Sequence, residues 1–208
     1  MNHIILLGDS IFDNAPYTSP CLIDQLRGIL PTNWQATLLA TDGHMTNHIP
    51  DQLSRLPSDA SHFVISAGGN DLLGHFDIQY AKMRSVTEIL LRLADIAYAF
   101  EQKYQKMLDI VLGYRRPTAL CTIYYPNFPD KQTQTIAKLG IALFNDVIIK
   151  TAFQTGLPII DLRLICNDPQ DYANPIEPAA HGGIKIAHII KRVVVQHDFN
   201  NRRSQVYF

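Results

Sequence analysis

The sequence is poor in cysteine and has no excess of charge of either sign. It holds 3 cysteines in 208 residues, and 18 Lys and Arg against 19 Asp and Glu give a formal net charge of -1. Because no basic stripe runs along the chain, this balance argues against a nucleic-acid partner. Cys21, Cys121 and Cys166 are odd in number and widely spaced, unlike a disulfide framework or a zinc site. We predict buried free thiols in a reducing compartment, and hence a cytoplasmic protein.

Long hydrophobic runs are also missing. No window approaches the ~18 apolar residues that a membrane span requires, and no basic region of the kind found in secretion signals precedes the short apolar run at residues 3–7. No Gly-x-Gly-x-x-Gly or phosphate loop follows that run, so a flavodoxin-like nucleotide binder is the weaker hypothesis. The sequence predicts neither a cofactor nor a metal ion, and it leaves the oligomeric state open.

What the sequence does contain is an alternation of short apolar runs and longer segments of helical period. With 47% hydrophobic residues, the chain can bury a sizeable core, and we predict one domain over residues 1–208 with a tail, 198–208, that is loose or docks on a partner. The alternation is typical of an α/β fold with a mostly parallel, five-stranded sheet between helices. Predicted strands span 3–8, 36–41, 62–67, 118–124 and 157–161, and predicted helices lie near 20–30, 46–56, 86–113, 133–155 and 183–196.

The longest predicted helix, near 86–113, carries apolar residues at helical period along its whole length. We therefore expect it to pack on the sheet. The aromatic, proline-rich loop at 124–129 follows the fourth predicted strand. It either forms a wall of a pocket or closes the core.

Gly8-Asp9-Ser10 stands directly after the first predicted strand. In an open α/β sheet, chemistry collects outside the carboxyl ends of the strands, so this turn is a candidate nucleophile elbow with Ser10 as the nucleophile. The alternative is that these residues only form a tight turn or a helix cap.

Two further loops follow predicted strands in the same way. Asp42-Gly43-His44 comes after the run at 36–40, and Gly68-Gly69-Asn70-Asp71 comes after the run at 62–65. Acyl transfer requires a hydroxyl nucleophile and hydrogen-bond donors aimed at the developing oxyanion. Ser10, the Gly43 amide and the Asn70 side chain would supply these groups together.

These motifs, in this order and at strand ends, resemble those of the SGNH (GDSL) hydrolases, from Leu7 to about Ala187. The resemblance implies the three-layer, flavodoxin-like SGNH fold and a serine hydrolase that acts on a small-molecule ester or acylated substrate. It also implies that Ser10 is the nucleophile and that the Ser10 amide, the Gly43 amide and the Asn70 side chain form the oxyanion hole.

The sequence departs from the family near its C-terminus, where the family has Asp-x-x-His-Pro. Aligning on the proline and on the following helix places Asn174 at the family's aspartate and Glu177 at its histidine. Aligning on histidine instead chooses His181, with Pro178 three residues before it in place of an acid. We favour the first register because it needs no gap, and both Glu177 and His181 remain candidate bases.

A carboxylate of ordinary pKa, about 4.3, is a weaker base than imidazole and must be desolvated to work near neutral pH. Each candidate also has a non-catalytic alternative. Glu177 fits a first-turn glutamate that complements a helix dipole. His181 fits an exposed residue at a helix start.

Four other residues of these loops have expected roles. Asp9 and Asp71 are predicted to bond nearby amides and hold the shape of their turns. His44 and His75 either border the pocket or are ordinary polar loop residues.

Two classes of function follow from these observations. The first is a serine esterase or acyl hydrolase. The second is a catalytically degenerate protein of the same fold that binds a small acyl or carbohydrate ligand without turnover, because fold alone does not fix function. The three nucleophile and oxyanion positions favour the enzyme, and the missing histidine favours the second class.

Overall fold

The computed structural model describes residues 1–75, 85–201 and 203–208. Its sheet is entirely parallel, with strand order β2-β1-β3-β4-β5-β8. A separate antiparallel hairpin is formed by β6 and β7. The strands are β1 (Asn2–Gly8), β2 (Trp34–Leu38), β3 (His62–Ser66), β4 (Thr118–Cys121), β5 (Ile159–Ile160), β6 (Tyr172–Asn174), β7 (Glu177–Pro178) and β8 (Val206–Tyr207).

Helices cover both faces of the sheet and make two hydrophobic cores. Alternate residues of β1 point to opposite faces, so Ile4 and Leu6 join the core under α1 and α7, whereas Ile5 and Leu7 join the core under α2, α4 and α5. This arrangement confirms the predicted three-layer α/β fold. The helices are α1 (Leu22–Ile29), α2 (Ile49–Leu53), α3 (Gly69–Leu73), α4 (Val86–Gly113), α5 (Lys131–Thr155), α6 (Leu162–Ile165) and α7 (Ala180–Gln196), and 3-10 turns span Thr46–His48 and Pro169–Asp171.

The chain adds β2 on one side of β1 and then crosses over to add β3 on the other side. The direction in which strands are added to the sheet therefore reverses at β1. In open α/β sheets a crevice opens at such a switch point, outside the carboxyl ends of the strands. Ser10 lies in the loop after β1, and Asn70 lies in the first turn of α3, which follows β3. The topology therefore places these two residues at one crevice.

The C-terminal tail differs from its prediction. Val206 and Tyr207 pair with Ile159 and Ile160 as a sixth strand, and Tyr207 is buried. The expectation of a loose tail is therefore wrong for this end of residues 198–208, and so is the predicted count of five strands. Main-chain bonds between two-residue strands hold this edge, and such short strands have no hydrophobic period to read from sequence.

The helix α4 packs on the sheet over only part of its length. Its buried residues begin at Ile96 and continue through Phe100, Tyr104 and Val111. Val86 and Leu90 near its start are 72% and 60% exposed, although the apolar period predicted that the whole helix would pack. At 28 residues the helix is about 42 Å long at 1.5 Å per residue, so it extends past the short strands beneath it.

Removing the hydroxyl of Tyr104 is expected to stabilise the protein. This side chain is fully buried, and its hydroxyl has no hydrogen-bond partner among the described residues. Because an unsatisfied buried polar group costs free energy, Tyr104→Phe should raise the free energy of unfolding by about 1 kcal/mol. Denaturant unfolding measures the change, with Tyr98→Phe, at an exposed position of the same helix, as the control. A destabilised Tyr104→Phe would contradict the prediction.

The three cysteines are buried and free. Desolvation raises the pKa of the Cys166 thiol to about 12 and also raises the pKa of Cys121. The thiols at these positions are therefore protonated and unreactive at neutral pH. Free buried thiols agree with the sequence analysis, whereas the cytoplasmic compartment stays a prediction.

Candidate active site

The turn that carries Ser10 begins at Gly8, the last residue of β1. Its φ is +142°, and a Cβ atom there would lie 1.8 Å from the carbonyl oxygen of Ser66 on β3. Only glycine permits so close an approach, and it also tolerates a φ that L side chains rarely adopt. The approach brings Ser10 beside the loop that follows β3.

A buried glutamine on α2 joins this turn to the loop after β2. Gln52 Oε1 accepts a hydrogen bond from the Gly8 amide (2.9 Å), and Gln52 Nε2 donates one to the Gly8 carbonyl (2.7 Å). Gln52 Nε2 also lies 3.0 Å from His44 Nδ1. Sequence analysis gave Gln52 no role. One signal could have pointed to it. Gln52 stands three residues after Ile49, on the same buried face of α2, and burying a polar side chain there costs free energy unless it finds hydrogen-bond partners.

The loops after β2 and β3 are bonded to each other. Asn70 Nδ2 donates to the carbonyl of His44 (2.9 Å), and the Asp71 carboxylate accepts from both the amide and the hydroxyl of Thr46 (2.9 Å each). Gly43, directly before His44, has a φ of +77°. The structure thus brings Asn70 next to the Gly43–His44 segment. Asp71 bonds a backbone amide, but that amide belongs to Thr46, 25 residues away in the segment after β2, and not to the turn of Asp71 itself as predicted.

Glu177 lies in β7 and reaches Ser10. Its carboxylate interacts with the Ser10 hydroxyl, an interaction that lowers the pKa of Glu177, and Glu177 Oε2 is buried with no hydrogen-bond partner among the described residues. Asn174 acts on the backbone of the hairpin instead, since its Oδ1 accepts from the amides of Ile176 and Glu177 (3.0 Å each). The two strands of this hairpin therefore present the Glu177 carboxylate to Ser10.

Two carboxyl groups of the site titrate near neutral pH. Burial raises the pKa of Glu177 to about 7, against the lowering effect of the Ser10 hydrogen bond, and the charge of Asp42 adds to the rise. Burial raises the pKa of Asp9 to about 8; the Ile11 amide opposes this rise, and the charges of Glu177 and Asp71 add to it. Asp9 is therefore protonated at neutral pH, whereas Glu177 has the basicity of an ordinary histidine.

His181 faces away from this pair. It lies in the first turn of α7, where its Nδ1 is 2.8 Å from Asp171 Oδ1, and Lys185 Nζ is 2.8 Å from the same oxygen. The His181 side chain is 50% exposed, which agrees with the alternative of an exposed residue at a helix start. Glu177 precedes α7 and belongs to a strand, so its alternative as a first-turn glutamate of that helix is wrong.

An apolar pocket of about 150 Å³ opens beside these groups. Ser10, Asn70 and Glu177 lie in its wall together with His75, and so do Tyr124, Pro126 and Phe128, which confirms the predicted pocket wall after β4. Among the described residues, neither Gly43 nor His181 lines it. Three helices supply most of the remaining wall through Leu72 and Leu73 of α3, Leu93 and Ile96 of α4, and Ala137 and Phe144 of α5.

Within the described parts of the chain, no cluster of three or more His, Cys, Asp or Glu side chains is arranged to hold a metal ion. No helix there is long and apolar enough to cross a membrane. The crevice offers a hydroxyl that interacts with a carboxylate of near-neutral pKa, with an amide side chain in the wall of the same pocket. This arrangement is suited to acyl transfer through a serine nucleophile.

Comparison with known proteins identifies a family and similar folds. Residues 6–182 match a model of the GDSL-like lipase/acylhydrolase family, whereas no curated protein matches the sequence. Three similar solved structures are the lipase Lip_vut3 from a goat rumen metagenome, an extracellular lipase from Streptomyces rimosus and the acetyl xylan esterase AlAXEase. Their TM-scores are 0.68, 0.64 and 0.65, and their sequence identities are 19%, 16% and 17%. The similarity covers 94%, 89% and 94% of this chain and 98%, 96% and 100% of theirs.

Proposed function

Because this chain belongs to the GDSL-like lipase/acylhydrolase family, we propose that it is a serine hydrolase of carboxylic ester or acyl bonds, with Ser10 as nucleophile and Glu177 as general base. The observation that carries the proposal is the place of Ser10 in the wall of one pocket with Glu177, a buried carboxylate that interacts with the Ser10 hydroxyl and whose pKa is about 7. A base with a pKa near the working pH transfers protons most effectively. The Glu177 carboxylate thus takes the place that the family gives to histidine.

In the first half of the reaction, Glu177 accepts the proton of Ser10 while the serine oxygen attacks the ester carbonyl. The oxyanion is stabilised by the Ser10 amide, the Gly43 amide and the Asn70 side chain. Protonated Glu177 then gives its proton to the departing alcohol oxygen, and an acyl group remains on Ser10.

The second half releases the acid. Glu177 takes a proton from a water molecule, whose oxygen attacks the acyl carbon. The tetrahedral intermediate collapses, and the proton returns to Ser10 as the carboxylic acid leaves. Asp9 is protonated at neutral pH, so it does not place a negative charge next to that of the oxyanion.

The decisive experiment is ester hydrolysis by the native chain and by Asn70→Ala. We expect the native protein to hydrolyse p-nitrophenyl butyrate above the buffer rate and Asn70→Ala to lower kcat by roughly 10² to 10³ with little change in KM. The lost hydrogen bond strengthens mainly in the transition state, so binding of the ester is spared. Asn33→Ala, at an exposed position outside the pocket, is the matched control. A fall in kcat of less than threefold would remove Asn70 from the mechanism.

A second candidate is a degenerate protein that holds an acyl or carbohydrate ligand without turnover. One observation favours it: a glutamate stands at the position where the family has its catalytic histidine. Under this alternative, no p-nitrophenyl ester would be hydrolysed above the buffer rate.

A further inference from the structure

The side chain of Gln52 extends the pairing of β1 beyond the end of β2. Leu6 of β1 still accepts main-chain hydrogen bonds from Leu39 and Ala40, which follow β2. At Gly8 the fully buried Gln52 takes over, with Oε1 accepting from the Gly8 amide (2.9 Å) and Nε2 donating to the Gly8 carbonyl (2.7 Å). The side-chain amide thus pairs with Gly8 in the way that a peptide group of a neighbouring strand would.

This pairing decides which nitrogen of the His44 ring carries the proton. The Gly8 amide can only donate and the Gly8 carbonyl can only accept, so the orientation of the Gln52 amide group is fixed. Its Nε2 therefore directs its second hydrogen toward His44 Nδ1, at 3.0 Å. Because Nε2 has no capacity to accept, His44 Nδ1 is the acceptor, and the neutral ring carries its proton on its own Nε2.

The surroundings of His44 favour this neutral ring. Burial lowers the pKa of His44, and the charges of His48 and Arg55 lower it further. The charges of Asp51 and Asp13 oppose these effects but do not outweigh them. The His48 ring also packs against the His44 ring, with ring centres 4.6 Å apart. Nδ1 therefore remains an acceptor for Gln52 at neutral pH.

The backbone of His44 organises the segment that carries the proposed oxyanion donors. The His44 amide donates to the carbonyl of Thr41 (3.1 Å) and closes a turn whose third residue is Gly43. The φ of +77° at Gly43 is one that such a turn requires and glycine allows. The His44 carbonyl accepts one hydrogen of Asn70 Nδ2 (2.9 Å). This bond orients the second N–H of the Asn70 side chain, which is the one that would bind an oxyanion.

We propose that Gln52 and His44 are positioning residues of the reaction, because the bond between their side chains fixes the turn of Ser10 against the segment of the oxyanion donors. This inference rests on the proposed function, in which the Gly43 amide and the Asn70 side chain bind the oxyanion. Both residues act through other groups and not on the ester. A displacement of about 1 Å between the two segments would weaken stabilisation of the transition state more than binding of the ester.

Replacing His44 tests the bond without leaving the buried groups of Gly8 unpaired. His44→Ala removes the acceptor, and we expect kcat for p-nitrophenyl butyrate to fall about tenfold while KM stays within about twofold of its native value. His44→Asn should keep at least about half of the native kcat, because the asparagine Oδ1 can accept the same hydrogen bond from Gln52. His188→Ala, at an exposed position of α7, is the control and should change neither constant.

The tautomer of His44 provides a second measurement, which does not depend on activity. Two-bond ¹H–¹⁵N NMR correlation spectra of the native protein with labelled histidine should show a neutral His44 ring with its proton on Nε2 at neutral pH. The His44 signals are assigned by their loss in His44→Ala.

The outcomes separate the inference from the function beneath it. A native His44 ring with its proton on Nδ1, an unchanged kcat in His44→Ala, or an equal loss in His44→Ala and His44→Asn would overturn the inference. Each of these results would leave the hydrolase intact, because the native protein would still hydrolyse p-nitrophenyl butyrate. Failure of the native protein to hydrolyse this ester would overturn the proposed function, and with it a role for the pair in the reaction, whichever tautomer the spectra show.

Discussion

Replacing Ser10 with alanine is expected to lower kcat/KM for p-nitrophenyl butyrate by on the order of 10⁵-fold and to abolish labelling by a fluorophosphonate probe. The probe bonds covalently to an activated serine oxygen. In the proposed mechanism, the Ser10 hydroxyl is activated by the Glu177 carboxylate, with which it interacts. A gel-based labelling assay and mass spectrometry of the labelled peptide check the result.

Ser54→Ala is the matched control, because the Ser54 hydroxyl donates to the carbonyl of Asp51 at an exposed position. It should keep full labelling and full activity. Labelling that persists in Ser10→Ala would move the nucleophile elsewhere. A native chain that resists the probe through a long incubation, and hydrolyses no ester, would favour the ligand-binding alternative.

The sheet and the positions of Ser10 and Asn70 at its carboxyl edge could be predicted from sequence because local signals coincide with the topology. A buried parallel strand appears as a continuous apolar run, and β1 and β3 are such runs. The polar turns that follow them must then lie at the carboxyl edge. The two turns lie close together because β1 and β3 are neighbours in the sheet. The family resemblance, which rests on the order of the motifs, implied this neighbourhood.

Other parts of the site could not be read from the chain because they depend on distant contacts. Gln52 matters through bonds to Gly8, which is 44 residues away in sequence. The β6-β7 hairpin has strands of three and two residues, too short to show a period of two. The direction of the Glu177 side chain depends on this hairpin, and His181 lies beyond it in α7, so the sequence alone left both residues as candidate bases.

The Asn174 side chain bonds backbone amides, a different contact from the one that the gapless register predicts. The gapless alignment placed it at the family's aspartate, next to the base. In the structure its side-chain oxygen accepts two backbone amides of the hairpin. An asparagine serves this turn as well as an aspartate does, because Oδ1 is the acceptor in both.

Replacing Glu177 with glutamine is expected to lower kcat for p-nitrophenyl butyrate by about 10⁴-fold, whereas His181→Ala should keep most of the activity. Glutamine matches glutamate in shape but cannot accept the Ser10 proton. His181 makes its contact with Asp171, at 2.8 Å, and is half exposed, so its loss leaves the Ser10–Glu177 pair in place. The opposite ranking of the two variants would restore a histidine base.

Loss of activity in Glu177→Gln should not come from unfolding. Burial raises the pKa of Glu177 from 4.5 to about 7 in the folded chain, so its ionisation destabilises the fold as pH rises through this interval. The glutamine variant lacks this penalty. Its thermal midpoint relative to the native chain should therefore increase between pH 5 and pH 8, and a relative decrease would contradict the raised pKa.

The pH profile of the native enzyme tests the same carboxylate in the reaction itself. Because only ionised Glu177 accepts the Ser10 proton, kcat/KM should rise with pH and level off above about 7, the pKa to which burial raises this group. An ordinary glutamate would place the limb near 4.3. A histidine base would place it near 6.5, close to the expected value, so the His181→Ala profile decides: it should retain the native limb. If both variants keep full activity while Ser10 remains essential, neither residue is the base, and His44 becomes the leading candidate.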